Sequence, residues 1–321
     1  MEQSQLILPA LIALVLTLAG TPLLIPVLRR IRAGQSIRED GPSSHLVKSG
    51  TPTMGGIVLI GTVVIASLVT IGPDKELIIV LAVFVAFGFL GFLDDFVKVA
   101  RRRSLGLTVG QKLLIQIVIA AGLALYHVSA SDSGTMIAIP FLGRALDFGW
   151  FAVPFLIFVV VAMANSVNLT DGLDGLAAGV TFFVAAFFAA VAVALSVLPA
   201  GVYSIALAGA CLGFLFYNRH PARIFMGDTG SMALGGGLAA VAIIMEVELL
   251  LPVVGAVYVA EALSVLLQVL YFKKTNGKRL FRMAPLHHHF ELSGWKESKV
   301  VAVFWIATVV FCGLGWLALA K

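Results

Sequence analysis

Ten apolar runs divide the chain, at residues 6–28, 54–72, 77–97, 111–127, 149–166, 174–197, 202–218, 231–248, 250–272 and 298–320. Each is continuous rather than alternating. Each also approaches or exceeds the ~20 residues that a helix rising ~1.5 Å per residue needs to cross a bilayer core of roughly 30 Å. Inside lipid only helices and closed barrels satisfy their own backbone hydrogen bonds, and barrel strands would alternate apolar with polar. The pattern predicts an all-α polytopic membrane protein, one integral domain over 1–321 with about ten transmembrane helices. Between the fourth and fifth runs the texture changes. There Gly134, Pro140 and Gly143 frame short stretches at Ile137–Leu142 and Ala145–Phe148, which predicts a small β-hairpin.

Composition agrees with the pattern. Of 321 residues, 60% are apolar and 12% charged, against roughly 45–50% and 25% in soluble domains. A soluble enzyme, a disordered chain and a coiled-coil rod are excluded. The first run follows Met1-Glu-Gln-Ser-Gln5 without a basic leader and is longer than a signal-peptide core, so it reads as a retained span. Cys211 and Cys312 both lie within apolar runs and read as small buried hydrophobes.

The net charge of +5 is explained by topology rather than by nucleic acid. Nineteen of the 22 Lys and Arg fall in or beside loops one, three, seven and nine, leaving Lys75, Arg144 and Lys321 elsewhere. By the positive-inside rule the odd loops are cytoplasmic, both termini face outward, and the hairpin lies on the outward side.

The polar residues concentrate on those same odd loops. Loop one leads into the second run with Lys48, Thr53 and the Gly55-Gly56 pair, a cation and a hydroxyl beside backbone that a ligand can approach. The third run ends in Asp94-Asp95 followed by Lys98, and Lys112 opens the fourth. Two adjacent carboxylates at a membrane helix end are costly if buried; one can face a site while the other anchors a neighbour. Loop five has no Lys or Arg, yet holds Asn165, Asn168, Asp171 and Asp174 within ten residues. N-capping accounts for one of these, not four. Loop seven runs from Asn218 through Phe225 to Gly227-Asp228-Thr-Gly-Ser231, placing a carboxylate, hydroxyls and backbone amides at a helix start suited to phosphate and its cation.

Loop nine contains His287-His288-His289. Consecutive side chains cannot all face one metal, so hydrogen bonding to an anion or sugar phosphate is the better reading than zinc. His45, His127 and His220 read as incidental. Glu261, midway along the ninth run, is a site candidate by default as an intramembrane carboxylate, but its distance from the loop clusters favours a structural role. Carboxylates without thiolates select a hard cation, Mg²⁺ with Mn²⁺ as substitute. The residues alone point to a Mg²⁺-dependent enzyme acting on phosphate esters at the inner membrane surface, with a lipid as second substrate.

Taken in order, Thr51-Pro-Thr-Met-Gly-Gly56, Leu93-Asp-Asp-Phe96, Asn168-Leu-Thr-Asp-Gly-Leu-Asp-Gly175, Phe225-Met-Gly-Asp-Thr-Gly-Ser231 and Pro285-Leu-His-His-His-Phe-Glu291 resemble the polyprenyl-phosphate N-acetylhexosamine-1-phosphate transferase superfamily. The form of the histidine motif is similar to the branch that uses UDP-MurNAc-pentapeptide. The resemblance implies transfer of phospho-MurNAc-pentapeptide to undecaprenyl phosphate, giving lipid I and UMP, in a multi-pass protein of the bacterial inner membrane with its active site on the cytoplasmic side. It implies a homodimer. It also implies Asp228 as a Mg²⁺ ligand helped by Asp171, Asp94 as base or nucleophile beside Asp95, and catalysis centred on these aspartates. Lys48, Thr53, Asn168, Asp174, Asn218 and Phe225 would line the nucleotide and diphosphate region, and Lys112 with His287, His288 and His289 would meet phosphate or the muramoyl part.

Three rivals stay open at this point. A sister enzyme using UDP-GlcNAc would keep the chemistry and change the sugar. An intramembrane prenyltransferase would want two similar Asp-rich motifs, and an ion-coupled transporter would want several ionisable residues near the midplane, where only Glu261 qualifies.

Overall fold

The computed structural model describes residues 4–31, 50–101, 105–131 and 134–319. Among these residues twelve α-helices run in chain order: α1 (Ser4–Arg30), α2 (Gly56–Ile71), α3 (Lys75–Arg101), α4 (Val109–Ala130), α5 (Ala152–Thr170), α6 (Leu176–Leu195), α7 (Leu198–Asn218), α8 (Gly227–Ile244), α9 (Leu251–Val254), α10 (Ala256–Lys274), α11 (Leu286–Leu292) and α12 (Glu297–Leu319). Nine of the described helices are long and apolar enough to cross a membrane, and α2, at 16 residues, is a shorter apolar helix. The hairpin forms as β1 (Met136–Ile139) and β2 (Arg144–Asp147), antiparallel with Met136 opposite Asp147 and Ile139 opposite Arg144.

Several boundaries shift by a few residues from the hydropathy pattern, and three of the shifts have a local reason. The ninth run is not one helix: it breaks between α9 and α10 at Gly255. The helix α8 starts at Gly227, four residues before the apolar run, because Gly-Asp-Thr-Gly forms its first turn rather than a preceding loop. The helix α3 extends to Arg101, so its 27 residues span roughly 40 Å. That is longer than the hydrocarbon core, and the excess carries Asp94, Asp95 and Lys98 toward the bilayer boundary.

The core is built around α8, whose sequence from Thr229 to Ile243 is buried throughout. Its glycines and alanines let α2, α3, α5 and α7 approach closely, the packing that replaces a hydrophobic driving force between helices in lipid. A Cβ on Gly235 would lie 2.6 Å from Ala164 Cα on α5. Gly56 of α2 meets Gly230 backbone, and Gly91 of α3 meets the backbone carbonyl of Asp228. Large apolar side chains of α1, α4, α10 and α12 are exposed around the outside, as lipid-facing residues would be.

Candidate active site

Five charged side chains meet where α3 ends and α8 begins. Lys98 Nζ lies 2.7 Å from Asp94, 3.6 Å from Asp95 and 3.0 Å from Asp228. Lys112, from the first turn of α4, lies 3.0 Å from Asp94 and 2.8 Å from Asp228. That turn is fixed by a capping box in which Thr108 Oγ1 accepts Gln111 N–H and Gln111 Oε1 accepts Thr108 N–H. The two adjacent aspartates divide their duties. Asp95 holds the helix start, accepting the backbone N–H and hydroxyl of Thr229 at 2.9 and 2.7 Å. Asp94 is fully buried, takes Leu107 N–H at 2.8 Å, and stands against both lysines.

Asp228 is the most accessible of the three carboxylates. Its other oxygen accepts from Asn168 Nδ2 at 3.0 Å, and the same amide reaches Ser231 Oγ at 2.9 Å. Gly227, at φ +72°, turns the chain so that Asp228 opens the helix, and Thr53 packs beside it. The approach is fixed by a short backbone ladder: Phe225 N–H donates to Pro52 O, Gly55 N–H to Phe225 O and Gly56 N–H to Met226 O, at 2.8–3.0 Å. Oxygens of Asp94, Asp95 and Asp228 lie within 4.8 Å of one another. An all-oxygen set of this charge fits a hard divalent cation.

The remaining expected residues surround this centre without joining it. Asp171 caps α5, and among the described residues no cation pairs with its carboxylate. Burial, then the charges of Asp228, Asp95 and Asp174, push its pKa well above the ordinary carboxylate range. Asp174 belongs to a second group: its Oδ2 lies 3.1 Å from His220 Nδ1, its N–H donates to Glu297 at 2.8 Å, and Glu297 also reaches His220. His220, which the sequence left as incidental, thus ties α12 to the Asp171–Gly175 turn. The Asn218 amide is committed to backbone at both ends, donating to Ile224 O and accepting Gly175 N–H.

The three histidines take three directions, as consecutive side chains on α11 must. His287 is buried against Glu261, His288 pairs with Glu291 at 3.0 Å, and His289 Nδ1 accepts Arg282 N–H. Lys48 lies outside the described residues.

With this geometry the relatives can be placed. The glycosyl transferase family 4 model matches residues 77–246, and the phospho-N-acetylmuramoyl-pentapeptide-transferase signature 1 matches 48–60. A phospho-N-acetylmuramoyl-pentapeptide-transferase of Alkaliphilus metalliredigens is 53% identical, covering 100% of both chains. Proteins of the same name from Thermoanaerobacter sp. (strain X514) and Clostridioides difficile are 51% and 47% identical over 98% and 97% of this chain, and 99% and 95% of their own. The chain belongs to the phospho-N-acetylmuramoyl-pentapeptide-transferase family.

The glycosyl transferase family 4 match spans the segment that builds the charged centre, from α3 through α8. One residue of the charged centre had no role in the sequence reading. That residue is Lys98, although its spacing of three and four from Asp95 and Asp94 on one helix already places it between them. Glu261 stood out in the sequence only as an intramembrane carboxylate; its contact with His287, 26 residues away on another helix, had no signal there.

Proposed function

We infer that this membrane transferase moves phospho-MurNAc-pentapeptide from UDP-MurNAc-pentapeptide to a polyprenyl phosphate, producing lipid I and UMP for peptidoglycan synthesis. The carrying observation is the junction of α3, α4 and α8, where three carboxylates and two lysines are held by one network. An oxygen of the lipid phosphate attacks the phosphorus bearing the sugar, a new P–O–P bond forms, and the bond to the UMP oxygen breaks. Such a reaction needs in-line positioning and charge neutralisation more than a strong acid or base. A phosphate whose second pKa is near ~6 is largely deprotonated at neutral pH, so direct attack with Asp94 accepting any residual proton is the favoured route.

Lys98 and Lys112 offer positive charge to phosphate oxygens, and the α8 N-terminus adds the positive end of its helix dipole. Asn168 orients Asp228 from the side, and Asp95 keeps α8 in register. Asp228 is the proposed Mg²⁺ ligand, with Asp171 as a helper from the neighbouring turn and Mn²⁺ as an alternative ion. When bound, the cation supplies neutralisation of the diphosphate and of the leaving UMP. The same reading takes undecaprenyl phosphate as the lipid, a homodimer as the working unit, and the bacterial inner membrane as its place, with the active end and the basic loops on the cytoplasmic side and both termini outward.

The test is UMP release from purified protein with undecaprenyl phosphate and Mg²⁺, comparing UDP-MurNAc-pentapeptide with UDP-GlcNAc. Release confined to the muramoyl substrate is expected, and preference for UDP-GlcNAc would transfer the chain to the sister activity. Asp228→Asn is expected to abolish Mg²⁺-dependent turnover; near-normal rates would refute the metal assignment.

A further inference from the structure

A carboxylate inside a membrane helix is expensive to keep, and the cost is several kcal/mol even after relaxation. Glu261 is such a group. It lies on the buried stripe of α10 with Val257, Tyr258 and Ser264, while Leu263, Leu266, Leu267 and Leu270 of the same helix are exposed. Its side chain is 0% exposed, and both oxygens face α11. Oε1 accepts the backbone N–H of His287 at 3.2 Å, and Oε2 lies 3.2 Å from His287 Nδ1. The first turn of a helix leaves N–H groups without partners, and Glu261 satisfies one of them from a different helix.

The consequence falls on the imidazole. A carboxylate facing Nδ1 favours the proton on that nitrogen, which leaves Nε2 as the free nitrogen of the neutral ring. Both ring nitrogens of His287 are buried without a formed hydrogen bond among the described residues; Nδ1 has Glu261 Oε2 at ion-pair distance, and Nε2 has no ionic partner either. Nε2 is aimed at the turn that carries Asp171: a Cβ on Gly172 would lie 2.1 Å from it. A buried imidazole nitrogen without a partner, pressed on the turn beside the charged centre, is a group that a ligand completes.

We propose that Glu261 is a positioning residue for the transfer reaction. From within α10 it docks α11 and holds His287 with Nδ1 protonated and Nε2 presented to the phosphorylated sugar nucleotide at the Asp171–Asp174 turn. This rests on the reading above that His287 meets the substrate. The helix α10, largely exposed to lipid, is thereby tied through one carboxylate to the nucleotide side of the site.

The experiment combines kinetics with a direct view of the ring. Glu261→Gln keeps an oxygen for the His287 N–H but removes the charge facing Nδ1. His287→Asn keeps a polar group toward Glu261 but deletes Nε2. Glu261→Gln is expected to lower kcat on the order of 10- to 100-fold with little change in KM for UDP-MurNAc-pentapeptide or in thermal midpoint. The double variant should be no slower than His287→Asn alone, because both act through one ring. Full kcat in Glu261→Gln beside an impaired His287→Asn would overturn the proposal. An unimpaired His287→Asn would instead remove the substrate contact on which the proposal rests, and the proposal with it. Histidine ¹⁵N spectra of the unaltered protein decide the tautomer even if a variant fails to fold, the His287 signals being assigned by their loss in His287→Asn or, failing that, by backbone correlation. Protonated Nδ1 supports the proposal, and a neutral ring protonated at Nε2 overturns it.

Discussion

Replacing Gly91 by alanine places a methyl group where α8 already stands. The added Cβ would lie 2.0 Å from the Asp228 carbonyl oxygen, 2.4 Å from its carbon and 2.6 Å from Thr229 N. All three are backbone atoms, so no rotamer change relieves the contact. Ordinary separation requires α3 and α8 to part by roughly 1.5 Å. Overpacking of this kind costs about 1–3 kcal/mol of stability, but the larger effect falls on chemistry. Gly91 is one helical turn before Asp95, and the strand of contacts being forced apart is the one that holds Thr229 to Asp95 at 2.7–2.9 Å. A displacement of about 1 Å at reacting groups costs on the order of 100-fold in rate. Gly91→Ala is therefore expected to lose about two orders of magnitude in UMP release while retaining a measurable thermal transition. Gly61→Ala is the control: it lies on the exposed face of α2 with nothing within 4 Å of the new Cβ. It should keep full activity and gain up to about 1 kcal/mol from helix propensity. Wild-type kcat and thermal midpoint in Gly91→Ala would refute the claim that the α3–α8 contact sets the geometry of the site.

Two further outcomes follow from the charges. Lys98→Met leaves Asp95 without its lysine and halves the cations beside Asp94 and Asp228; allowing for its partial exposure, a loss on the order of 2 kcal/mol is expected, with turnover near background, and chemical denaturation with UMP release checks both. For Asp171, the folded pKa is raised, so its contribution to stability is full below the ordinary carboxylate value and disappears as pH climbs through the raised one. Asp171→Asn cannot ionise, and its thermal midpoint relative to wild type, measured without divalent cation, should grow as pH rises above the ordinary carboxylate range; a constant difference would show that Asp171 is not buried among like charges.

What the sequence disclosed follows from the range of each interaction. Helix positions depend on apolar runs, so the spans were readable to within a few residues, and the hairpin was readable from Gly134, Pro140 and Gly143. The α8 start was misjudged because Gly227–Gly230 is polar in composition yet helical in context, its first turn being capped by Asp95 from another helix. Asp94, Asp95 and Asp228 stood out because acids at membrane helix ends are hard to explain otherwise, and the fold brings them together. Asp174 carries the same signal in sequence and Asn218 a similar polar one, and only the fold shows the amide bound to backbone and the carboxylate engaged with His220 and Glu297. The Glu261–His287 pair depends on α11 folding back onto α10, a contact with no periodic signature.

The helix at the centre of this molecule is also the least apolar of the nine long apolar helices among the described residues. The small residues that let α8 admit neighbours on every side give it little affinity for hydrocarbon, and Asp228 in its first turn lowers that affinity further. Alone, such a segment would partition poorly from the translocon into lipid. Its neighbours α2, α3, α5 and α7 all precede it in the chain. Order of synthesis thus resolves the difficulty: when α8 emerges, the helices that will enclose it are already in the bilayer, and it enters a protein-lined slot rather than lipid. The reactive end of the enzyme is then assembled by the late arrival of a single helix, and no partly inserted intermediate carries a complete site.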